Sequence, residues 1–396
     1  MENPQPSEII DEQNDCWNMI EEDLKQRPPA LEPIYVTDTI NHSVLLYDGS
    51  LAIEQNGRTI EGSGKVEFAW FPYSGVKYAF QSHISGFLHP DVDAQLRLTE
   101  NEASVKISLS HIRIDERIDA SGTVSEAISI GSGQNLEYLL CHIANFHDVF
   151  GSSRVILSDS SGGYRYIERN VLEAENWKLT LDQLPTTTEH VAQLNRQGGF
   201  AITHVAKLER TDGQTFTGKE AIQFLDLCSH FFSFVRGFKI PIILLVGYNS
   251  VNEKVWQHWD SRAGLSWRGV SSWFPKCENG VLAQLLPGFL NWWRSWDEDI
   301  ANIALNWYLE SNINAAKLEG SIVLTQVALD LIAWTLFVEQ EKAFSKTAFD
   351  KLKASGQLRH LLSKFNISTK LPPDWEAEPV QNYINTLLNN LNCLKI

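Results

Sequence analysis

From Ser43 onward, apolar and polar positions alternate with the period of two expected of a half-buried β-strand. Val66, Phe68 and Trp70 form one such run. Val105, Ile107 and Leu109 form another, after which the phase moves to Ile112 and Ile114. One extra residue turns every following side chain to the opposite face, so the phase change predicts a bulge or a strand end near Ser110-His111. Asp48-Gly49 and Asn56-Gly57 lie between short apolar runs, and both tolerate the positive φ of a two-residue turn, so hairpins are predicted at each. Glycine-rich turns at 131–133 and 160–163 continue the punctuation, and Trp177, Leu179 and Leu181 read as a further half-buried strand.

Phe200, Ile202, Ala206 and Leu208 share one strand face with His204, and Asp212-Gly213 predicts the hairpin that follows. Thr217 and Glu220 stand at the spacing of a capping box, so a helix is predicted with Ile222, Leu225, Phe231, Phe232 and Val235 on its buried side, ending at Gly237. Pro241 to Val246 is an unbroken apolar run and reads as a strand buried on both faces. Beyond about residue 275 only helical periodicity remains, with stops at Gly356 and Pro372-Pro373. Asp297, Glu298 and Asp299 favour a helix start. Ser321 to Glu339 is apolar almost all round and is therefore expected at the centre of a bundle. Further helices are predicted over 346–355, 357–365 and 380–394.

The fold class that follows is α+β. A β-rich domain over 35–275, antiparallel and sandwich-like with a packed helix, precedes an all-α bundle over 280–396, and a β-sandwich or open barrel is the economical architecture for residues 35 to about 210. Residues 1–34 carry nine acidic residues and read as a solvated leader, with one short helix at Trp17 to Leu24. The first 150 residues hold nine Lys and Arg against 24 Asp and Glu, and the rest of the chain is close to neutral. No run of basic residues tracks a phosphate backbone, so there is no DNA-binding motif, and any nucleic-acid surface has to be assembled in three dimensions. The longest apolar helix carries Gln326 and Asp330, and no basic-then-apolar leader opens the chain, so neither a membrane span nor a secretory signal is expected. The five cysteines, Cys16, Cys141, Cys228, Cys277 and Cys393, are odd in number and unpaired in spacing, which points to a reducing cytoplasm.

Candidate chemistry is sparse. Gly213 to Lys219 imitates a phosphate-binding loop, but Glu220 stands where a hydroxyl is needed to hold Mg²⁺. Cys141, His142 and His147, and likewise Cys228 and His230, lack the spacing of a zinc site, so no metal and no cofactor is assigned. No nucleophile elbow occurs. Ten of the 13 tryptophans lie at or beyond Trp256, with Trp292, Trp293 and Trp296 close together. They are read as wedging the helical third against the β-rich domain or as anchoring a partner protein or RNA. Glu319, Gln326 and Asp330 fall within about 40° on one helix face, a polar seam that is a solvent-facing margin, a polar site or a dimer contact, with Arg359 and Lys317 as partners.

The stretch Asn306-Trp307-Tyr308-Leu309-Glu310-Ser311-Asn312, with Glu319 to Trp334 and Gln357 to Leu362, resembles the HEPN-type helical domains of ApeA-like bacterial proteins over residues 287–375. That resemblance implies a β-rich module before the helices. In active members it implies a metal-independent ribonuclease using an R-x(4-6)-H pair, often at a dimer interface. None of the 11 histidines here has an arginine five to seven positions before it. Arg359 and His360 are adjacent, and the chain runs through Asn389-Asn390-Leu391-Asn392 where the family places its motif, so a shortened or degenerate member is expected.

The leading expectation is a non-catalytic binding or sensing protein in a defence or RNA-related setting, with Glu319, Gln326, Asp330, Arg359 and His360 as a polar site or interface. Its rivals are a ribonuclease with non-standard groups, Glu319, Asp330 and His360 first among them, and a carbohydrate or small-ligand binder with Trp70 or Trp177 in an open cleft.

Overall fold

The computed structural model describes residues 27–368 except 84–85, 148, 159–163, 263, 271–272, 275–278 and 315–317. The helices expected at Trp17 to Leu24 and 380–394, the turn at 160–163, Lys317 and Pro372-Pro373 lie outside the described residues. The chain divides into two compact units between Asp297 and Glu298.

The first unit begins with β1 (Val44–Gln55), β2 (Arg58–Ala69), β3 (Gly75–Ser82), β4 (Ala94–Leu98), β5 (Ala103–Ile114) and β6 (Ile118–Val124). These close into an antiparallel barrel in the order β1-β2-β3-β6-β5-β4. Closure comes from β1, which pairs with β2 along its length and with β4 over Leu51 to Gln55. In β5, Ala103, Val105, Ile107 and Leu109 turn inward while the residues between them face out, and the register shifts between Leu109 and His111, where the phase change falls. Asn56 and Gly57 form the turn, with φ of 53° and 72°. Asp48-Gly49 does not: β1 runs straight through it, and the Tyr47 hydroxyl lies 2.8 Å from where a Cβ on Gly49 would be. Gly49 makes room for a ring rather than a turn.

The chain then forms β7 (Ile128–Gly131), β8 (Tyr138–Ala144), β9 (Ser153–Ser158), β10 (Tyr164–Ala174), β11 (Trp177–Gln183), α1 (Thr187–Gln197), β12 (Ile202–Arg210), α2 (Gly218–Arg236), β13 (Ile242–Tyr248), β14 (Lys254–Trp259) and α3 (Val281–Ser295). The eight strands make one antiparallel sheet in the order β7-β14-β13-β8-β12-β11-β10-β9. The α+β class stands, and of the sandwich and the open barrel expected for its β part the structure has a barrel, closed rather than open, seated on a large sheet. Ile202, Val205, Ile243, Val246 and Trp259 from the sheet share one core with Phe68, Trp70 and Phe80 from the barrel. Trp70 stacks on Phe200 at 5.1 Å. β13 is buried almost throughout, as its apolar run predicts, although Leu244 takes a φ of 56° where its register against β8 shifts.

Helix α2 begins as its sequence predicts. Thr217 N donates to Glu220 Oε2 at 2.7 Å, and Glu220 N donates to Thr217 Oγ1 at 3.2 Å. The motif that imitates a phosphate loop is thereby accounted for, with Glu220 held by the cap. Thr217→Ala is expected to cost about 1 kcal/mol and to lower the Tm of this unit by about 2–4 °C. A calorimetric transition that does not move would show that the cap contributes nothing.

Two buried polar links fix the start of the described chain. Arg169 Nε and Nη2 each donate to Asp182 at 2.6 Å, one to each carboxylate oxygen, and Asp182 is fully buried. The same pair reaches Leu31 N, which donates to Asp182 at 2.8 Å, and Pro29 O, which accepts from Arg169 at 3.0 Å. Ala30 N donates to Ile156 O, so residues 28–30 run parallel to β9. Nearby, Tyr35 N donates to His142 Nε2 at 3.1 Å. The proton on His142 is therefore on Nδ1, which faces Leu244 O at 3.1 Å.

The second unit holds α4 (Glu298–Ile313), α5 (Leu318–Trp334), a π-helical turn (Thr335–Gln340), α6 (Lys346–Asp350) and α7 (Ala354–Lys364). The start expected at the acidic triplet is found at Glu298. Gly356 lies inside α7 rather than ending a helix. Ala333, Phe337, Phe349 and Leu361 form this unit's core. The described residues do not enclose helix α5 on all sides as its apolar sequence predicts: Val323 is 55% and Val327 39% exposed. The helical stretch from Glu319 to Gln340 contains an 18-residue window with a mean hydropathy of 1.8, long and apolar enough to cross a membrane by length and composition alone, and 22% of that window is buried.

Candidate functional site

The residues singled out in the helical part are only partly brought together. Gln326 Nε2 donates to Asp330 Oδ1 at 2.6 Å, one turn apart on α5, and burial raises the Asp330 carboxyl despite that bond. Glu319 is exposed, about 16 Å from Asp330 along the helix axis. Arg359 and His360 are exposed on α7, and the His360 ring lies 5.1 Å from that of Phe344. A general acid and base would have to meet at one reacting atom, and these groups are spread along two helices.

Other titratable groups are committed to structure. Ser129 Oγ lies 2.9 Å from His258 Nδ1, and Asp260 lies 3.8 Å from His258 Nε2, an order of residue types that resembles a nucleophile triad. Ser129 and His258 are, however, a cross-strand pair of β7 and β14, and Arg262 Nε donates to Asp260 at 2.5 Å. Cys141 and Cys228 are free and buried, with the Cys141 thiol pushed up to about 12 by burial, so neither is a ready nucleophile. Among the described residues no group of three or more His, Cys, Asp or Glu is placed to hold a metal ion. The open cleft sought at Trp70 and Trp177 is not there: Trp70 is 2% and Trp177 7% exposed, and both pack into the core. A hollow of about 480 Å³ at the barrel end is lined by Glu54, Asn56, Asp93 and Lys106, but Lys106 pairs with Asp93 and Glu54 with Arg97.

The aromatic residues do converge. Phe231 and Phe234, three apart on α2, face Leu285, Gly288, Phe289 and Trp292 on α3 across a groove of about 380 Å³. Phe289 sits 5.5 Å from Phe231 and 5.6 Å from Phe234, and Trp292 lies 5.9 Å from Phe289. Trp273, 48% exposed, lies 5.1 Å from Phe234, and Trp293 stacks on His230 at 4.4 Å. Among the described residues no charged side chain lines the groove, and Gln284 is its polar group. Pro287 has no N–H to give to Ala283 O, and a Cβ on Gly288 would meet nothing within 4 Å. The helix is therefore thinned where the groove opens. The tryptophan cluster is the sequence signal for this site, whereas Phe231, read as a buried helix residue, and Phe234, which the periodicity does not single out, gave no sign of it.

Residues 131–270 match the family model of the YopA central domain, and residues 294–389 match that of the YopA C-terminal domain. Over 357 residues the chain is 25% identical to the SPbeta prophage-derived uncharacterized protein YopA of Bacillus subtilis (strain 168), covering 87% of this chain and 79% of that one. Two solved structures of MrkH show a TM-score of 0.14 each, a likeness without structural correspondence. The structure of K. pneumonia MrkH in its apo state is 6% identical over 55% of this chain and 78% of that one. The other, described as a novel c-di-GMP dependence transcription regulatory factor, is 9% identical over 61% and 92%.

Proposed function

We propose that this is a binding protein and that the groove between α2 and α3 holds an apolar helix or loop of a protein partner. The convergence of Phe231, Phe234, Phe289 and Trp292 on an uncharged opening carries this reading. Such rings bury much area for little lost entropy, and anchors of this kind are commonly worth ~2 kcal/mol or more at an interface. An RNA ligand is less well served, because among the described residues no Lys or Arg lines the groove to meet phosphates. We assign no catalytic group.

Selection of displayed amphipathic helical peptides against the purified chain tests this. Binders with apolar anchors at i, i+3 and i+4 are expected. Gly288→Leu places a side chain in the opening while improving helix propensity, so it is expected to weaken those binders at least tenfold without loss of fold. Trp292→Ala is expected to weaken them by a similar factor. Equal binding by Gly288→Leu would overturn the site. Cleavage of mixed labelled RNAs that survives chelator and disappears in His360→Ala would overturn the non-catalytic reading.

A further inference from the structure

The described residues leave one side of α5 uncovered, where Val323 is 55% and Val327 39% exposed. At about 100° per residue, Val323, Gln326, Val327, Asp330 and Leu331 fall within about 140° of the helix surface, and all are at least partly exposed. Asp330 is the only ionisable residue between Gly320 and Val338. The stripe is thus apolar, with one hydrogen-bonded polar pair inside it. Gln326 spends one amide N–H on Asp330 Oδ1, which leaves its second N–H and Asp330 Oδ2 without a described partner.

Such a stripe is complementary to itself. A two-fold axis at the height of residue 328 sets two copies of α5 antiparallel and brings residue 326 of each beside residue 330 of the other. The spare Gln326 N–H of each copy then meets the spare Asp330 oxygen of the other, so one contact makes two equivalent bonds. The two copies of Val327 stand about 3 Å apart along the axis and pack on each other. A parallel pair would instead press the two carboxylates together. A foreign protein would need the same donor and acceptor about 6 Å apart along its own surface. A bilayer would take Gln326 and Asp330 into hydrocarbon near mid-span.

We propose that a second copy of this chain covers the Val323–Val327 side of α5, antiparallel to it, with Gln326 and Asp330 of the two copies bonded reciprocally. A polar pair inside an apolar seam fixes register and orientation at some cost in stability. The contact from Gly320 to Trp334 is about 21 Å long, smaller than permanent interfaces, so the dimer is expected to dissociate on dilution.

Sedimentation of the full chain over a range of concentrations, together with single cysteines, tests the proposal. Cys16, Cys277 and Cys393 are replaced by serine, while the buried Cys141 and Cys228 are kept. Val327→Cys is expected to give a disulfide-linked dimer with copper–phenanthroline. Val323→Cys is expected to give little, because in the antiparallel pair its two copies stand about 15 Å apart along the axis. Gln326→Glu sets a carboxylate opposite Asp330 of the other copy and is expected to weaken the dimer about tenfold or more, with unchanged circular dichroism. Mixing that chain with one carrying Asp330→Gln is expected to restore association as a mixed dimer, which a fault inside one chain could not produce. A monomer at every concentration would overturn the proposal, whether maleimide labels Val327→Cys as fast as a free thiol or finds it shielded by the chain's own residues or by phosphatidylcholine–phosphatidylglycerol vesicles. So would a dimer that forms equally well with Gln326→Glu, because its contact would lie elsewhere. Efficient crosslinking through Val323→Cys would mean a parallel pair and sink the reciprocal bonding.

Discussion

Arg169→Met is expected to lower the stability of the first unit by about 3–5 kcal/mol, the largest effect anticipated from a single side chain. Asp182 has no exposure to water, and Arg169 supplies two of the hydrogen bonds it accepts, both at 2.6 Å. Without the guanidinium the carboxylate stays buried with Leu31 N as its remaining described donor, and Pro29 O loses a partner. Replacing both members, as in Arg169→Met with Asp182→Leu, is expected to restore most of the loss, leaving the cost of an unsatisfied Leu31 N–H. Because the pair is dry, the effect should change little between 0.1 and 1 M salt. Urea midpoints of the three chains check this, and a single-variant cost below about 1 kcal/mol would show that the pair contributes no more than a surface ion pair does.

Acidification is the second large effect, on the order of 3 kcal/mol from His142 alone between pH 6.5 and 4. Burial holds His142 down at about 4 and His204 at about 3, and a hydrogen bond to Leu244 O offsets only part of that for His142. An unfolded chain takes up these protons near pH 6.5. Folded stability is therefore complete above that pH, and it drains away as the pH falls toward the folded values. His230 and His258 are also lowered, mainly by burial, and act in the same direction. Protonation would also cost His142 the bond from Tyr35 N, because Nε2 could no longer accept. The slope of stability against pH between 6.5 and 4.5 should fall in His142→Gln, whatever that substitution costs at pH 7.5. An unchanged slope would mean that His142 titrates normally in the fold.

Local chemistry was legible in the sequence, and closure was not. Asn56-Gly57, the phase change at Ser110-His111, the Thr217–Glu220 cap and the buried run at Ile242 each depend on residues a few positions apart. Asp48-Gly49 misleads because the same dipeptide also fits inside a long strand whose neighbouring ring needs the space. The barrel depends on Leu51 to Gln55 finding Ala94 to Leu98, and the groove on Phe231 and Phe234 finding residues 285–292. Periodicity gives each run a face but does not choose which distant face it meets. The same limit explains α3, whose helical pattern reads as part of the C-terminal third although it belongs to the first compact unit. In the second unit the helical spacing put Gln326 and Asp330 on one seam, but their bond to each other was not read from it, because Arg359 and Lys317 were taken as the seam's partners.

The short parallel run of residues 28–30 against β9 has a consequence for solubility. A barrel has no terminal strand, so the vulnerability of this β-rich unit to edge-to-edge aggregation rests on the two borders of its open sheet. One border, β7, is four residues long, a poor template for a neighbouring chain. The other, β9, has backbone groups of Ile156 already engaged by Pro28 and Ala30, with that stub locked down from beneath by Arg169 and Asp182. The buried ion pair thus works as a guard against strand addition as well as a brace within the fold.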